Sequence, residues 1–529
     1  DSAKGKEGKP KKRNLAIADI AALQPFHWGF EFDEILNKRG GFDAIITNPP
    51  WEIFKPNAKE FFQEHSELVS KNKMTIKEFE KEQANLLKKP EIQAAWLEYL
   101  SRFPHVSAWC RAAPQFKSQS AIVNGKKTGS DINLYKLFTE QCANLLREGG
   151  DCGIVIPSGI YTDLGAKGLR DLLFDQNKVT GLFCFENRKE IFEGVDSRFK
   201  FVVLTFEKGG NTARFPAAFM RHDTAELAGF PSEMGLPLSV ELIRRLSPDS
   251  HSVMEFKSEL DICIAEKMLR FPLLGEEIKG KWNLGLTAEF HMTNDGKTLF
   301  KTEPGKNRLP LFEGKMIWQF QADYEKPRYW VDEKEGRAAV LGRREDCGQA
   351  LDFQTYRLGF RDIAANTNER TMVAAMIPPT FHGNKLPTIK VFDETGKRTI
   401  DSATQLFICA IWNSFILDWM LRQKVTTTLN FFYIYQLPVP RFGPTDAEFG
   451  PIVNRAARLT CVATEFDALA KEVGLNSHHD GVTDPADRAR LRAELDGLIA
   501  HLYGLIEAEF AHVLSTFPLV PEPVKIAAL

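Results

Sequence analysis

The spacing of hydrophobic and polar positions changes several times along this 529-residue chain, and the changes divide it. Residues 1–13, DSAKGKEGKPKKR, are polar and Lys-rich with no apolar period, which predicts a tail or loop. An aromatic cluster follows at Phe26, His27, Trp28, Phe30 and Phe32, expected to pack beside the next element. Phe42, Ala44, Ile45 and Ile46 then form a short apolar run of the kind that makes a buried parallel strand. Residues 52–130 are rich in Lys, Glu and Gln and predict exposed helices, among them an amphipathic pair broken at Pro90. A helix is expected over about 131–147, with Leu134, Leu137, Phe138, Cys142 and Leu145 on one face. Ser130 or Asp131 would cap it and Gly149-Gly150 would end it. Apolar runs predict strands at 152–159, 180–187 and 198–209, the last two as part of an antiparallel arrangement.

Beyond residue 210 the texture changes. VELIRRL and ELDICIAEKMLRFPLL read as helices of a connector over 231–300. Aromatic and basic residues interleave over 301–445, and a helix is expected at 407–423. Leu491, Leu495, Leu498, Leu502 and Leu505 recur at helical spacing behind the start signal Asp484-Pro485, in a helical region over 446–529. Strand, helix, strand and two further strands predict an α/β first region, 1–230, with the helical insertion at 52–130. An α+β segment and a helical C-terminal segment follow it.

Composition narrows the function classes. The length predicts about two to four domains. Hydrophobic residues make up 43% and charged residues 26%, as in ordinary globular proteins. A formal net charge of -2 means that any nucleic-acid surface must be a local patch. The eight cysteines contain no CxxC pair, which argues against a zinc site or disulfide framework and fits a reducing cytosol. No apolar run reaches membrane-spanning length and no signal peptide is seen, so a cytoplasmic location is expected. The chain begins at Asp1, which predicts residues missing upstream. Pro248-Asp249 and Glu255-Phe256-Lys257 spell a nuclease-like PD…ExK, but five residues leave little room for the strand hairpin that chemistry needs. His478-His479 lies in a polar loop and is expected to be solvated rather than to bind metal; no metal site is signalled.

The candidate chemistry sits at Asn48-Pro49-Pro50-Trp51. Consecutive prolines cannot continue a strand ladder, so a carboxamide, rigid carbonyls and an aromatic ring are held just past a strand's carboxyl end. In open α/β sheets that end is where ligands sit. The run GGFDAIITNPPW resembles the catalytic motif of adenine-N6 DNA methyltransferases. The HW…EF lead-in, and NLYKLF and LLREGGDCGIVIPSG in that order afterwards, are similar to large fused restriction–modification methylases over about residues 25–209. EGKMIWQF and FRDIAANTNERTM resemble the same fused enzymes. FICAIWNSFILDWMLRQ before LNFFYIYQLPVPRF resembles the target-recognition domains of type I specificity subunits and type IIG enzymes. RAELDGLIAHLYGL is similar to the end of large fused methylases.

The resemblance implies the second half of a Rossmann-like methyltransferase sheet, then a target-recognition domain. It implies site-specific methylation of adenine N6 in double-stranded DNA, in a prokaryotic restriction–modification or BREX- or DISARM-like defence system, with S-adenosylmethionine as cofactor. The Asn48 side-chain oxygen and the Pro49 carbonyl would accept both N6–H bonds of a flipped adenine, with Pro50 keeping the turn rigid. Trp51 would stack on one face of the base and Phe199 on the other. The family more often has Tyr at the Trp51 position, so only a phenolic hydrogen bond is in doubt. Arg328, Arg357, Arg361, Asn366, Asn368 and Arg370 are the candidate DNA readers, since Arg pairs with guanine, Asn with adenine, and both reach phosphates. The family's Gly-rich cofactor loop lies upstream of this motif, and the 47 residues before Asn48 contain none; Asp19 is a weak stand-in for its acidic partner. The main cofactor site, and a partner half or subunit that carries it, is therefore expected outside this chain. Alternatives are a DNA-recognition chain inactive without that half, and cytosine N4 or glutamine methylation. The long recognition-like segment argues against glutamine, and Asn rather than Ser before Pro-Pro leans to adenine.

Overall fold

The structure is a computed structural model that describes residues 14, 16–71, 74–119, 122–123, 126–127, 132–365, 367–425 and 428–529. The Lys-rich stretch 1–13 and the expected caps Ser130 and Asp131 lie outside the described residues. The architecture is mixed α/β. The chain forms two compact units, one of residues 1–240 with 249–252, the other of 241–248 with 253–529.

The first unit is built on a six-stranded sheet of β1 (Phe42–Thr47), β2 (Leu146–Pro157), β3 (Asn177–Glu186), β4 (Lys200–Lys208), β5 (Arg214–Arg221) and β6 (Leu236–Ser239). The strands lie side by side as β1-β2-β4-β3-β5-β6. β1 runs parallel to β2, with Thr47 opposite Ile154. β4 is antiparallel to both β2 and β3, and β3 is parallel to β5. β1, β2, β3 and β5 therefore share one direction. Gly41 admits the chain into β1, because a Cβ there would lie 2.4 Å from the backbone nitrogen of Arg147.

β1 departs from expectation. It is parallel but not buried, because among the described residues no strand pairs with its outer edge. Ile46 is 91% exposed. Phe26 and Phe30, from the aromatic cluster expected to pack on this strand, are exposed as well, as are Ile17 and Leu23 before them. Only Trp28 and Phe32 reach Phe42, edge-on at 6.3 and 5.2 Å.

The insertion holds α1 (Ile76–Leu86) and α2 (Pro90–Ala112), with Pro90 as the first residue of α2, where a missing N–H costs nothing. It has a small core of its own, in which Phe62, Leu86 and Ile92 pack with Phe61, Phe79 and Trp96. α3 (Leu134–Leu145) forms where expected but presents a different face. Lys136, Thr139 and Glu140 are buried and Phe138 is exposed. The cause is polar: Glu140 accepts the Ser118 N–H and the Gln119 amide, each at 2.8 Å. α3 ends at Leu145 and β2 begins at once, so Gly149-Gly150 lies within the strand and does not cap the helix. α4 (Lys167–Gln176) then crosses from β2 to β3.

The second unit contains β7 (Leu286–Thr287), β8 (Arg308–Phe312), β9 (Trp330–Asp332), β10 (Arg357–Phe360), β11 (Ala374–Ile377), β12 (Phe381–His382) and β13 (Thr388–Ile389). They form a β9-β8-β12 sheet and a β11-β10-β13-β7 sheet. Helices α5 (Ser402–Asn413) and α6 (Phe415–Arg422) are almost wholly buried, as their all-round apolar sequence requires. α7 (Phe449–Thr460) packs on α5 through Phe407 and Phe449, whose rings are 5.2 Å apart. That contact joins the helical C-terminal segment to the preceding α+β segment. The expected divisions at 300 and 445 thus fall inside one unit, which starts within the expected connector. α8 (Pro485–Leu502) starts where the sequence signals it, with Asp484 accepting the N–H groups of Ala486 and Asp487 at 2.9 and 3.0 Å.

Candidate functional site

All the parallel strands of the first unit end on one side of the sheet, and the Asn48–Trp51 turn lies there, directly after β1. Pro49 is buried, while Asn48 and Pro50 are exposed. The following segment is tied to the start of α3: the Leu134 N–H donates to Glu52 O at 3.0 Å and the Phe54 N–H to Ile132 O at 2.7 Å. The turn is thus held from both ends, by the β1–β2 ladder before it and by α3 after it. No described residue hydrogen-bonds the Asn48 carboxamide, which leaves its oxygen available to a ligand.

Trp51 is the fixed point of this turn. Its indole N–H donates to Val155 O of β2 at 3.2 Å. Its ring stacks on Phe199 (centroids 5.7 Å apart, planes at 11°) and on Phe201 (5.9 Å, 28°), and meets Phe192 edge-on at 5.0 Å. Phe183, Phe185 and Ala218 continue this apolar cluster into the sheet. Trp51 and Phe199 are therefore brought together, but not as two sides of an open slot. A base stacked between two rings needs them about 7 Å apart, twice an ordinary carbon contact. Here Phe199 backs Trp51, so the expected placement of Phe199 on the far face of a base does not hold in this structure. The indole N–H supplies an anchor that a phenol at this position would have to make differently.

Residues 187–199 link β3 to β4 at the same end of the sheet and carry both Phe192 and Phe199. Arg188, Lys189, Asp196 and Arg198 among them are locally paired. Burial pushes the Glu186 carboxyl up, but hydrogen bonds from Arg188 and His222 outweigh it and hold the group below the usual range. The Arg198 guanidinium holds Asp196 far below the carboxylate range. At the base of β1, the Arg147 guanidinium, with Arg39, lowers Asp43 in the same way.

Among the described residues no strand pairs with the outer edge of β1, where the resemblance would place the cofactor turn. No group of three or more His, Cys, Asp or Glu side chains among them is arranged to hold a metal ion. His478 instead pairs with Asp467 at 2.8 Å.

The candidate DNA readers separate into three kinds. Arg357 is fully buried and paired with Glu289 at 2.5 Å, and Arg370, 7% exposed, donates to Asp418 at 2.8 Å. Both are structural cations, because neither can reach a phosphate or base edge without breaking a buried ion pair. Arg328 is half exposed but gripped by both oxygens of Glu313 at 2.6 and 2.7 Å. Arg361 is half-buried, donates to the Gly314 and Ile317 carbonyls at 2.9 Å, and lies over Trp318 and Tyr324 at 5.0 and 5.6 Å. Asn368 is exposed, and Asn366 lies outside the described residues. Arg361, Asn368 and Arg370 share one cleft of about 320 Å³ with Trp318 and Thr367.

Sequence reasoning missed Phe192, Phe201 and Val155 around Trp51. Two of them alternate along or beside strands whose apolar character was plain, but their convergence on one ring depends on the sheet order. It also passed over Asn187, whose residue type favours side-chain bonds to nearby backbone.

Comparison with known proteins bears on part of the chain. A 56-residue stretch is 39% identical to a type II restriction enzyme and methyltransferase of Methanocaldococcus jannaschii, covering 10% of this chain and 5% of that protein. Among solved structures, the type IIL restriction-modification enzyme MmeI in complex with DNA aligns over 90% of this chain and 56% of its own, at 12% identity and a TM-score of 0.37. The ATP-dependent type ISP restriction-modification enzyme LlaBIII bound to DNA aligns over 81% and 30%, at 9% identity and a TM-score of 0.37. The chain thus spans little more than half of MmeI and less of LlaBIII. The stretch that carries α3, β2, α4, β3 and the first residues of the Phe192 loop, residues 113–192, matches the Eco57I restriction-modification methylase family.

Proposed function

We propose that this chain carries the target-base half of an S-adenosylmethionine-dependent DNA methyltransferase of a restriction–modification or phage-defence system, acting on adenine N6. The observation that carries the reading is the Asn48–Trp51 turn: a carboxamide that no described residue hydrogen-bonds and a rigid proline carbonyl beside an anchored indole, at the carboxyl end of a parallel strand. The exocyclic amine of adenine is a poor nucleophile because its lone pair is delocalised. Two acceptors, the Asn48 side-chain oxygen and the Pro49 carbonyl, would draw its hydrogens out of the ring plane and expose that lone pair. The amine must leave the helix stack to reach them, and the Trp51 ring would give the flipped base an aromatic surface to lie on. S-adenosylmethionine, held by a half outside the described residues, would supply the electrophilic methyl group.

A second reading is that the chain alone binds DNA but transfers no methyl group. The exposed outer edge of β1, with Ile46 91% exposed, favours it for the isolated chain. One experiment tests both. The chain is assayed alone and with a complementary cofactor-binding half, labelled methyl transfer to duplex DNA is counted, and the modified nucleoside is identified by mass spectrometry. Methylation only in the complemented sample, as N6-methyladenine, is expected. N4-methylcytosine would overturn the choice of base, and no product in either sample would overturn the enzyme reading.

The second unit is the proposed DNA-reading part, with Arg361 and Asn368 as its remaining candidates. Arg361→Ala should weaken binding to all sequences alike and reduce the salt slope by about one phosphate contact. Fluorescence anisotropy at several salt concentrations measures this, and an unchanged slope removes Arg361 from the interface.

A further inference from the structure

The loop that surrounds Trp51 is tied down by one side chain. Asn187 immediately follows β3 and is fully buried, 0% exposed. Its amide nitrogen donates to Phe192 O and to Val195 O, each at 3.0 Å, and its side-chain oxygen accepts the Phe192 N–H at 2.9 Å. Its backbone N–H donates to Phe199 O at 2.9 Å, closing the base of the loop. One residue therefore fixes the loop at 192, 195 and 199. The loop passes through a left-handed conformation at Glu190 (φ 51°), which a residue with a Cβ disfavours, and another at Gly194 (φ 75°), which glycine takes without strain. The other ties, Arg188 to Glu186, Lys189 to Asp223 and Arg198 to Asp196, each involve an exposed side chain and contribute little.

We propose that Asn187 is a positioning residue for the candidate site, a role that rests on the methyltransferase reading for its consequence but not for its geometry. Its carboxamide sets the 187–199 loop so that Phe192 closes on the edge of Trp51 and Phe199 on its face. Trp51 is joined through Pro50 to Pro49, so seating the indole also fixes the proline carbonyl and the adjoining Asn48 carboxamide. Asn187 touches neither base nor cofactor. It decides whether the acceptors stand where the amine arrives.

Asn187→Asp isolates this role because it preserves volume. The carboxylate still accepts the Phe192 N–H, but it faces the Phe192 and Val195 carbonyls without a hydrogen to offer. The loop should open and release Trp51. In the full chain, Trp51 emission is taken as the difference from the Trp51→Phe protein, and its quenching by acrylamide should rise roughly twofold or more, as expected of a locally opened segment. In the complemented enzyme, kcat should fall by roughly 10²-fold with KM for DNA little changed, the signature of misplaced reacting groups. Phe192→Ala should reproduce the quenching change, and the double variant should fall short of the product of the single effects. A folded Asn187→Asp protein with unchanged Trp51 quenching overturns the proposal. If Asn187→Asp fails to fold, Phe192→Ala decides, and unchanged quenching there overturns it equally. Altered quenching in an enzyme that methylates no base would retain the loop assignment while sinking the methyltransferase reading.

Discussion

Asn48→Ala, in the chain complemented with a cofactor-binding half, is expected to lower adenine methylation by on the order of 10²–10³-fold or more, the effect of removing a preorganised polar group from a reacting centre. The side chain is exposed and hydrogen-bonds no described residue, so its loss should leave the fold intact. Affinity for specific DNA should stay within a small factor, because that affinity is assigned to other residues. The measurement is single-turnover methyl transfer beside a binding isotherm on the same preparation. Activity close to that of the unsubstituted chain would mean that Asn48-Pro49-Pro50-Trp51 is only a turn. Loss of activity and DNA binding together would point to a folding defect instead. Asn48→Asp sharpens the result: it keeps the size and one acceptor but adds a charge beside the amine, and should also be severely impaired.

Asp418→Ala should unfold or nearly unfold the second unit. Asp418 is fully buried and accepts Arg370 at 2.8 Å, the N–H groups of Thr371 and Met372 at 3.1 and 3.3 Å, and Arg422 at 3.4 Å. Arg370 and Arg422 in turn lie over the rings of Phe415 and Phe517, each at 4.2 Å. Removing the carboxylate leaves two amides unpaired and two guanidinium groups with only backbone carbonyls as hydrogen-bond partners. Breaking a buried pair from one side costs about 3–5 kcal/mol, a large share of a typical domain's stability. Urea denaturation should show the lower midpoint, and Arg370→Met should cost less because it removes the cation and keeps the packing. If Asp418→Ala melts like the unsubstituted chain yet loses DNA affinity, Arg370 belongs to the DNA surface after all.

That second expectation marks where sequence and structure part. Arg357, Arg361 and Arg370 look alike in a basic, aromatic stretch, and residue type alone recommends all three for DNA. Whether an arginine faces solvent or a buried carboxylate depends on partners far along the chain: Glu289 lies 68 residues from Arg357, and Asp418 lies 48 from Arg370. No local period encodes such pairings. The strands of the first unit were legible because apolar runs at 152–159, 180–187 and 198–209 are local signals, and β2, β3 and β4 fall on them with shifted ends. The buried face of α3 was not legible, because it is dictated by the polar needs of Ser118 and Gln119 in another segment. At the candidate site, Asn48–Trp51 stood out as a motif. The backing of Trp51 by Phe199, and the role of Asn187, follow from which strands are neighbours in the sheet.

The bare edge of β1 has a consequence for the chain's life in a cell. An edge that no described strand pairs, with Ile46 exposed on β1, invites any passing strand, including that of another copy. Such a surface is also what chaperones and proteases read as an unassembled protein. The supply of whatever covers that edge would then set how much of this chain survives.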